Sequence, residues 1–281
     1  WSAYVAERLL LGHWSLLLAV AALPWAMAAA RSLRSGERGG LARWLLWLGL
    51  ASLTPSGGLL VLAATLPAVV WRGGRAARGT RVVAAALGVA LQLPWLVPTL
   101  MHPAPATGAT GADVFAARSE GPFGLLLTVL TTGGAWNAGS VPGTRTTWWG
   151  IVIGLVVLGL AAFGARDVVR VLGRSVALPL AVLAAAGIAW CLLGGWTGTT
   201  PVAAWVVETL PGGGLLRDAH KWLAPWALLV AVAAGLGAVR AAGAVLSRSS
   251  DRAAGAALLV GAALLPVMAM PDLAWGALGR L

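Results

Sequence analysis

Four polar residues, Arg217, Asp218, His220 and Lys221, stand together in the stretch PGGGLLRDAHKWLAPW, directly before a long apolar run. The glycines Gly212, Gly213 and Gly214 precede them and let the backbone turn tightly and approach a ligand closely. A helix starting near Leu215 would offer free N–H groups and the positive end of its dipole to an anion. It would also place Arg217 and Lys221, four residues apart, on one face, with His220 beside them. Two cations and an imidazole at such a point suit a phosphate or pyrophosphate. The competing interpretation is mechanical: Asp218 favours the helix N-terminus, while Arg217 and Lys221 reach to the lipid interface as anchors. Anchoring explains neither His220 nor the glycines.

A second polar group lies in AERLLLGHW, where Glu7 and Arg8 sit at an interface and His13 falls about a turn into the first apolar run. Glu7 and Arg8 could pair with each other at the surface, which contributes little. His13 at membrane depth should face protein or a wet cavity. Trp136 and Asn137, in GGAWN, have the groups to stack on and hydrogen-bond a sugar, or to anchor a loop. Phosphate-cradling loops, the dinucleotide fingerprint and the H-E-x-x-H zinc pattern are missing from the sequence. His13, His102 and His220 are too dispersed to suggest a metal site, so none is assigned. No acidic pair falls inside an apolar run, as an ion-coupled transporter would usually need.

The elements that position these residues are membrane helices. With 281 residues, 59% of them hydrophobic and 10% charged, and a mean hydropathy of +0.85, the chain carries more apolar surface than a soluble domain could hide. Crossing about 30 Å of hydrocarbon takes roughly 20 helical residues. The runs at about 9–30, 82–101, 148–165, 175–196, 222–243 and 253–271 meet or approach that length, and predict six spans in one transmembrane domain. Between Leu41 and Trp71 a further apolar stretch is broken at Thr54-Pro55-Ser56-Gly57-Gly58 into halves too short for two spans, which predicts a short helical hairpin. The fold class expected is all-α, polytopic, with outer loops at 102–147 and 197–221. The first of these loops could hold an amphipathic helix lying on the membrane, with Phe115, Phe123 and Leu125 to Leu127 as its apolar side. Cys191 lies inside an apolar run and can form no intramolecular disulfide.

Charge sets the expected orientation. Of the 20 basic residues, 14 fall at Arg31–Arg43, Arg72–Arg81, Arg166–Arg174 and Arg240–Arg252, against only Glu37, Asp167 and Asp251, so the whole formal net charge of +11 sits on these loops. Such loops stay on the cytoplasmic side and meet anionic lipid headgroups, which places both termini outside, in a multi-pass protein of the plasma membrane. Charge spread over short loops between spans also argues against nucleic acid as a partner. Several of the 16 tryptophans, among them Trp44, Trp71, Trp148, Trp149, Trp196, Trp222 and Trp275, fall near span ends, where such rings prefer to lie. The chain opens on Trp1 with no signal-peptide pattern and reads as a piece of a longer protein.

Two stretches resemble a known family. LASLTPSGGLLVLAATL is similar to the broken helix pair of the polytopic glycosyltransferase-C superfamily, and LLRDAHKWLAP resembles the L-R-N-x-H-K-F segment in the membrane portion of mycobacterial arabinofuranosyltransferases. The resemblance implies an actinobacterial membrane glycosyltransferase that takes a polyprenyl-phosphate-linked sugar on the outer face for cell-envelope glycan assembly. It implies that Arg217, His220 and Lys221 bind the donor phosphate and that Asp218 orients one of the basic side chains. Glu7, Arg8, His13, Trp136 and Asn137 would then line the cavity. The family's acidic catalytic residue belongs to a first outer loop that would precede Trp1, so neither it nor any divalent cation it holds can be assigned to a residue here. Without that residue, the alternative is a non-enzymatic membrane protein that binds lipid-linked intermediates or scaffolds a partner.

Overall fold

The computed structural model describes residues 2–101, 110–122, 124–247 and 252–274. His102, Phe123, Arg248, Asp251 and Trp275 lie outside them. Among the described residues the chain is helical, without strands. A short helix α1 (Ala3–Leu10) leads into α2 (Trp14–Arg34), followed by the hairpin α3 (Gly40–Ala51) and α4 (Pro55–Val70), and then by α5 (Arg78–Ala90) and α6 (Leu93–Met101). The short helices α7 (Thr110–Val114) and α8 (Gly124–Leu130) precede the long pair α9 (Trp148–Leu172) and α10 (Arg174–Gly195). The last are α11 (Thr200–Thr209), α12 (Ala224–Leu246), α13 (Arg252–Ala269) and the single turn α14 (Pro271–Ala274). Five helices are long and apolar enough to cross a bilayer: α2, α9, α10, α12 with the turn before it, and α13. The protein is an all-α, polytopic membrane protein.

The predicted 82–101 span is two helices, α5 and α6, bent by 55°. Pro94 lacks an N–H and its ring would collide with the carbonyl one turn back, which breaks the helix there. Gln92, buried at the break, satisfies the freed groups: its Nε2 donates to Gly88 O at 3.2 Å and to Ser52 Oγ at 2.9 Å, and its Oε1 accepts from Trp95 Nε1 at 3.2 Å. Counted together, the pair makes a sixth span.

The hairpin forms as its break dictates. Thr54 caps α4 by accepting from the Gly57 N–H at 3.2 Å, and Pro55 fills the first turn, where no N–H is needed. With 12 and 16 residues, α3 and α4 reach roughly 18 and 24 Å at 1.5 Å per residue, short of a full crossing. Their inner faces, with Trp44, Leu48, Val61 and Leu62, pack against Ala19, Leu23 and Ala26 of α2 and share a core with Val176 and Leu180 of α10. At Trp44 the indole N–H donates to Thr65 Oγ1 at 2.9 Å, which removes the one polar group that burial would leave unsatisfied.

The arginine-bearing loops meet at one end of the bundle. Arg31 donates to Val171 O at 2.8 Å, Arg34 to Arg72 O at 3.2 Å, and Arg240 pairs with Asp167 at 3.3 Å. The opposite end gathers α1, the 110–147 segment, α11 and the turns before α12. Leu125, expected on the apolar side of an amphipathic helix in this loop, does not face outward: Leu125 and Val129 of α8 enter the central core. Two close approaches fix the frame on which this end rests. α9 and α12 cross through Gly164 and Gly237, where a Cβ on Gly237 would stand 1.9 Å from Leu160 O. α10 touches the turn before α12 through Gly187, where a Cβ would stand 2.2 Å from Trp222 O.

Candidate functional site

The polar residues of the two sequence stretches converge at this end. The α1 helix starts with Ser2 as its cap and carries Tyr4, Glu7 and Arg8 on one face, as spacings of three and four residues require. That face is fully buried, Glu7 and Arg8 having 0% exposure. They do not pair at the surface. Arg8 reaches across 210 residues of sequence to Asp218, Nη1 donating to Oδ2 at 2.6 Å and Nη2 to Oδ1 at 2.7 Å, a bidentate fork.

His13 does not lie within a span; it is the residue that caps α2. Its Nδ1 is 3.0 Å from Arg8 Nη1. A guanidinium can only donate, so Nδ1 accepts and the His13 proton sits on Nε2. Burial, and then the Arg8 charge, lower the His13 pKa and keep the ring neutral. Burial would raise the Asp218 pKa, but the two Arg8 hydrogen bonds and the Arg8 charge outweigh it and hold the carboxylate below its ordinary range.

The segment predicted as a helix start near Leu215 is different in detail. Gly213–Leu215 and Ala219–Leu223 are two 3-10 turns, and the α-helix begins at Ala224. Gly212 takes the left-handed conformation, φ 78°, that makes the first turn possible. Arg217 therefore stands outside the helix, with its guanidinium 4.3 Å from the Phe115 ring centre, and Phe115 in turn meets the edge of Trp136 at 4.7 Å. Asp218 is committed to Arg8 and orients neither Arg217 nor Lys221. His220 faces inward, 1% exposed, against Tyr4 at 5.0 Å between ring centres. Its Nε2 is 3.5 Å from Thr132 O and 3.7 Å from Glu7 Oε2. Tyr4 closes the arrangement by donating to Lys221 O at 3.0 Å. Lys221 and Arg217, both partly exposed, remain as the surface cations of the stretch. Asn137 is occupied locally, its Oδ1 accepting from the Gly139 N–H at 2.9 Å.

A second buried ion pair adjoins the first. Arg145 donates through Nε and Nη2 to Glu120 Oε2, at 3.0 and 2.8 Å, and through Nη2 to Thr131 Oγ1 at 3.1 Å. One backbone turn serves both glutamates: Gly134 N–H donates to Glu120 and Ala135 N–H to Glu7, the latter at 2.9 Å. Thr132, just before it, holds the left-handed conformation at φ 69°, which is uncommon away from glycine. Burial, and then the neighbouring Glu120 charge, push the Glu7 pKa well above the carboxylate range, against the opposing pull of Arg145 and the Ala135 N–H. Glu7 Oε1 is shielded from solvent and has no partner as an acceptor. A proton on Glu7 turns it into a donor, with Glu120 as the neighbour able to accept.

Glu120, Arg145, Tyr4 and Thr132 are the members that the sequence did not single out. Glu120 and Arg145 were legible only as isolated charges in a long loop of small residues, and Tyr4 only as the single tyrosine of the chain. Beside this network runs an apolar cleft of about 440 Å³ between α9, α12 and α13, with walls such as Val157, Val230 and Leu259, and with Thr131, Thr132 and Arg145 at its polar end. Among the described residues no group of three or more His, Cys, Asp or Glu side chains is arranged to hold a metal ion. No family model matches the chain, and no curated protein or solved structure does. Fold and site define a helical membrane protein with a buried charge network at the end opposite its arginine loops.

Proposed function

We propose that this protein binds a polyprenyl-phosphate-linked sugar on the outer face of the plasma membrane and transfers the sugar to a cell-envelope glycan. The observation that carries the reading is the charge left over around the Arg8–Asp218 pair. That pair neutralises itself, and among the described residues Arg217 and Lys221 at its rim form no ion pair with a carboxylate, at the end away from the arginine loops. Lys221 lies within electrostatic reach of Asp218, Arg8 and Arg217. A phosphate would supply the missing negative charge there, and the apolar cleft reaching Thr131 and Thr132 is of a kind to take the isoprenoid chain. In glycosyl transfer, such cations would offset charge developing on the departing phosphate.

A non-enzymatic lipid binder is the second reading, and one observation favours it. The three buried carboxylates of the network are all engaged: Asp218 by Arg8, Glu120 by Arg145 and Gly134, Glu7 through Oε2 by Ala135. None is open to act as base on an acceptor. Arg217→Ala and Lys221→Ala should each weaken polyprenyl-phosphate binding about 10- to 150-fold, the equivalent of one charged hydrogen bond. Binding to purified protein in detergent checks this, and unchanged affinity in both variants would end the proposal. Release of labelled sugar from the lipid phosphate onto a glycan acceptor separates the enzyme from the binder.

A further inference from the structure

The arginine end carries a site of its own. Between the end of α4 and the outer side of α5 lies an open groove of about 650 Å³, lined by Val70, Arg78, Arg81, Val82, Ala85 and Val89 among others. On α5, Arg78 and Arg81 are three residues apart and share a side, and Val82, Ala85 and Val89 continue that side down the helix. The groove is therefore cationic at one end and apolar for roughly 12 Å beyond it, at 1.5 Å per helical residue. Its valines are open: Val70 is 47% exposed, Val82 60% and Val89 45%.

The cations are also unmatched. From Arg38 to Ala112 the sequence contains no Asp or Glu, and among the described residues none of Arg72, Arg75, Arg78 and Arg81 has a carboxylate partner. Arg81 is held in place by donating through Nη1 to Trp71 O at 3.2 Å, while its Nε is shielded from solvent with no acceptor. A fixed guanidinium with an unused donor, above an apolar groove, is the complement of a phosphate joined to a hydrocarbon chain.

We propose that this groove binds an anionic glycerophospholipid, with the phosphate between Arg78 and Arg81 and one acyl chain along Val82, Ala85 and Val89. The site is independent of the one proposed for the lipid-linked sugar, which lies at the other end of the bundle. A zwitterionic lipid matches the groove but leaves the positive charge uncompensated; inorganic phosphate matches the charge and leaves the groove empty.

Phosphatidylglycerol, phosphatidylcholine and inorganic phosphate are titrated in turn against delipidated protein in a non-ionic detergent, with unfolding temperature as the readout. Phosphatidylglycerol alone should raise it, in a salt-sensitive manner. The double variant Arg78→Gln/Arg81→Gln should lose about 30-fold in phosphatidylglycerol affinity, from about fivefold for each basic residue near a lipid surface. Arg72→Gln/Arg75→Gln, outside the groove, should retain the affinity, and Val82→Ser/Val89→Ser should lower it with the arginines intact. Full phosphatidylglycerol binding by Arg78→Gln/Arg81→Gln, or an equal effect of inorganic phosphate, would overturn the site. The unfolding temperature of each variant without lipid separates a folding defect from a binding one.

Discussion

A charge buried in a helical bundle must be either neutralised by a partner or given up, and Arg8 and Glu7 meet that demand in opposite ways. Arg8 stays ionised because the Asp218 fork matches its planar guanidinium; removing one partner of such a pair generally costs about 3–5 kcal/mol. Glu7 takes the other route and holds its proton. Its folded pKa is raised above the 4.5 of the free side chain, so as pH climbs past 4.5 the unfolded chain releases a proton that the native state keeps. The contribution of Glu7 to stability is thus complete below 4.5 and is lost as pH rises toward the folded pKa. Glu7→Gln keeps the shape and a donor but cannot ionise. Relative to wild type it should gain stability steadily as pH is raised from 4.5 to 8, measured by denaturant unfolding in detergent; parallel pH profiles would show Glu7 to be ionised in the native state. The sequence displayed Glu7 and Arg8 as polar residues in an apolar chain, and so made them visible. It could not display that Arg8 belongs to Asp218, because that pairing is made by the packing of α1 on the turn before α12 and not by local spacing.

At the scale of elements, the helices were readable wherever hydrophobic length decided the outcome, as in α9, α10 and α12. They were readable only in outline where one residue overrode the length. Pro94 turned a single run into the bent pair α5 and α6, and its effect depends on Gln92, whose side-chain amide meets the freed Gly88 carbonyl and is itself held by Ser52 at the end of α3. The turn before α12 was misplaced for a similar reason: the glycines and Asp218 favour tight 3-10 turns over an early α-helix, and the contact at Gly187 leaves room for nothing wider. Close packing of this kind also predicts where the frame is brittle. A side chain at Gly237 meets the Leu160 carbonyl at 1.9 Å from its first carbon, a backbone atom that cannot swing aside. Gly237→Val should destabilise the protein by about 1–3 kcal/mol or more through overpacking. Gly235→Val, whose Cβ meets nothing within 4 Å, should be nearly neutral in the same unfolding assay.

For the molecule as a whole, the separation of the two ends is the organising fact. One end collects the arginine loops and the proposed phospholipid groove; the other holds two buried ion pairs and the cationic rim of Arg217 and Lys221. If the arginine end faces the cytoplasm, a cysteine at Gly198 in a Cys191→Ala background should react with a membrane-impermeant thiol reagent added outside intact cells, and one at Gly39 should not. The reverse pattern would move the proposed sugar chemistry to the cytoplasmic face. The Arg8–Asp218 clasp has a consequence for how this molecule is made. Arg8 leaves the ribosome 210 residues before its partner, which at about 5–20 residues per second is an interval of roughly 10–40 s. Through that interval α1 carries a charge that hydrocarbon would reject, so the helix whose burial completes the native end must wait in a wet place and be stowed last.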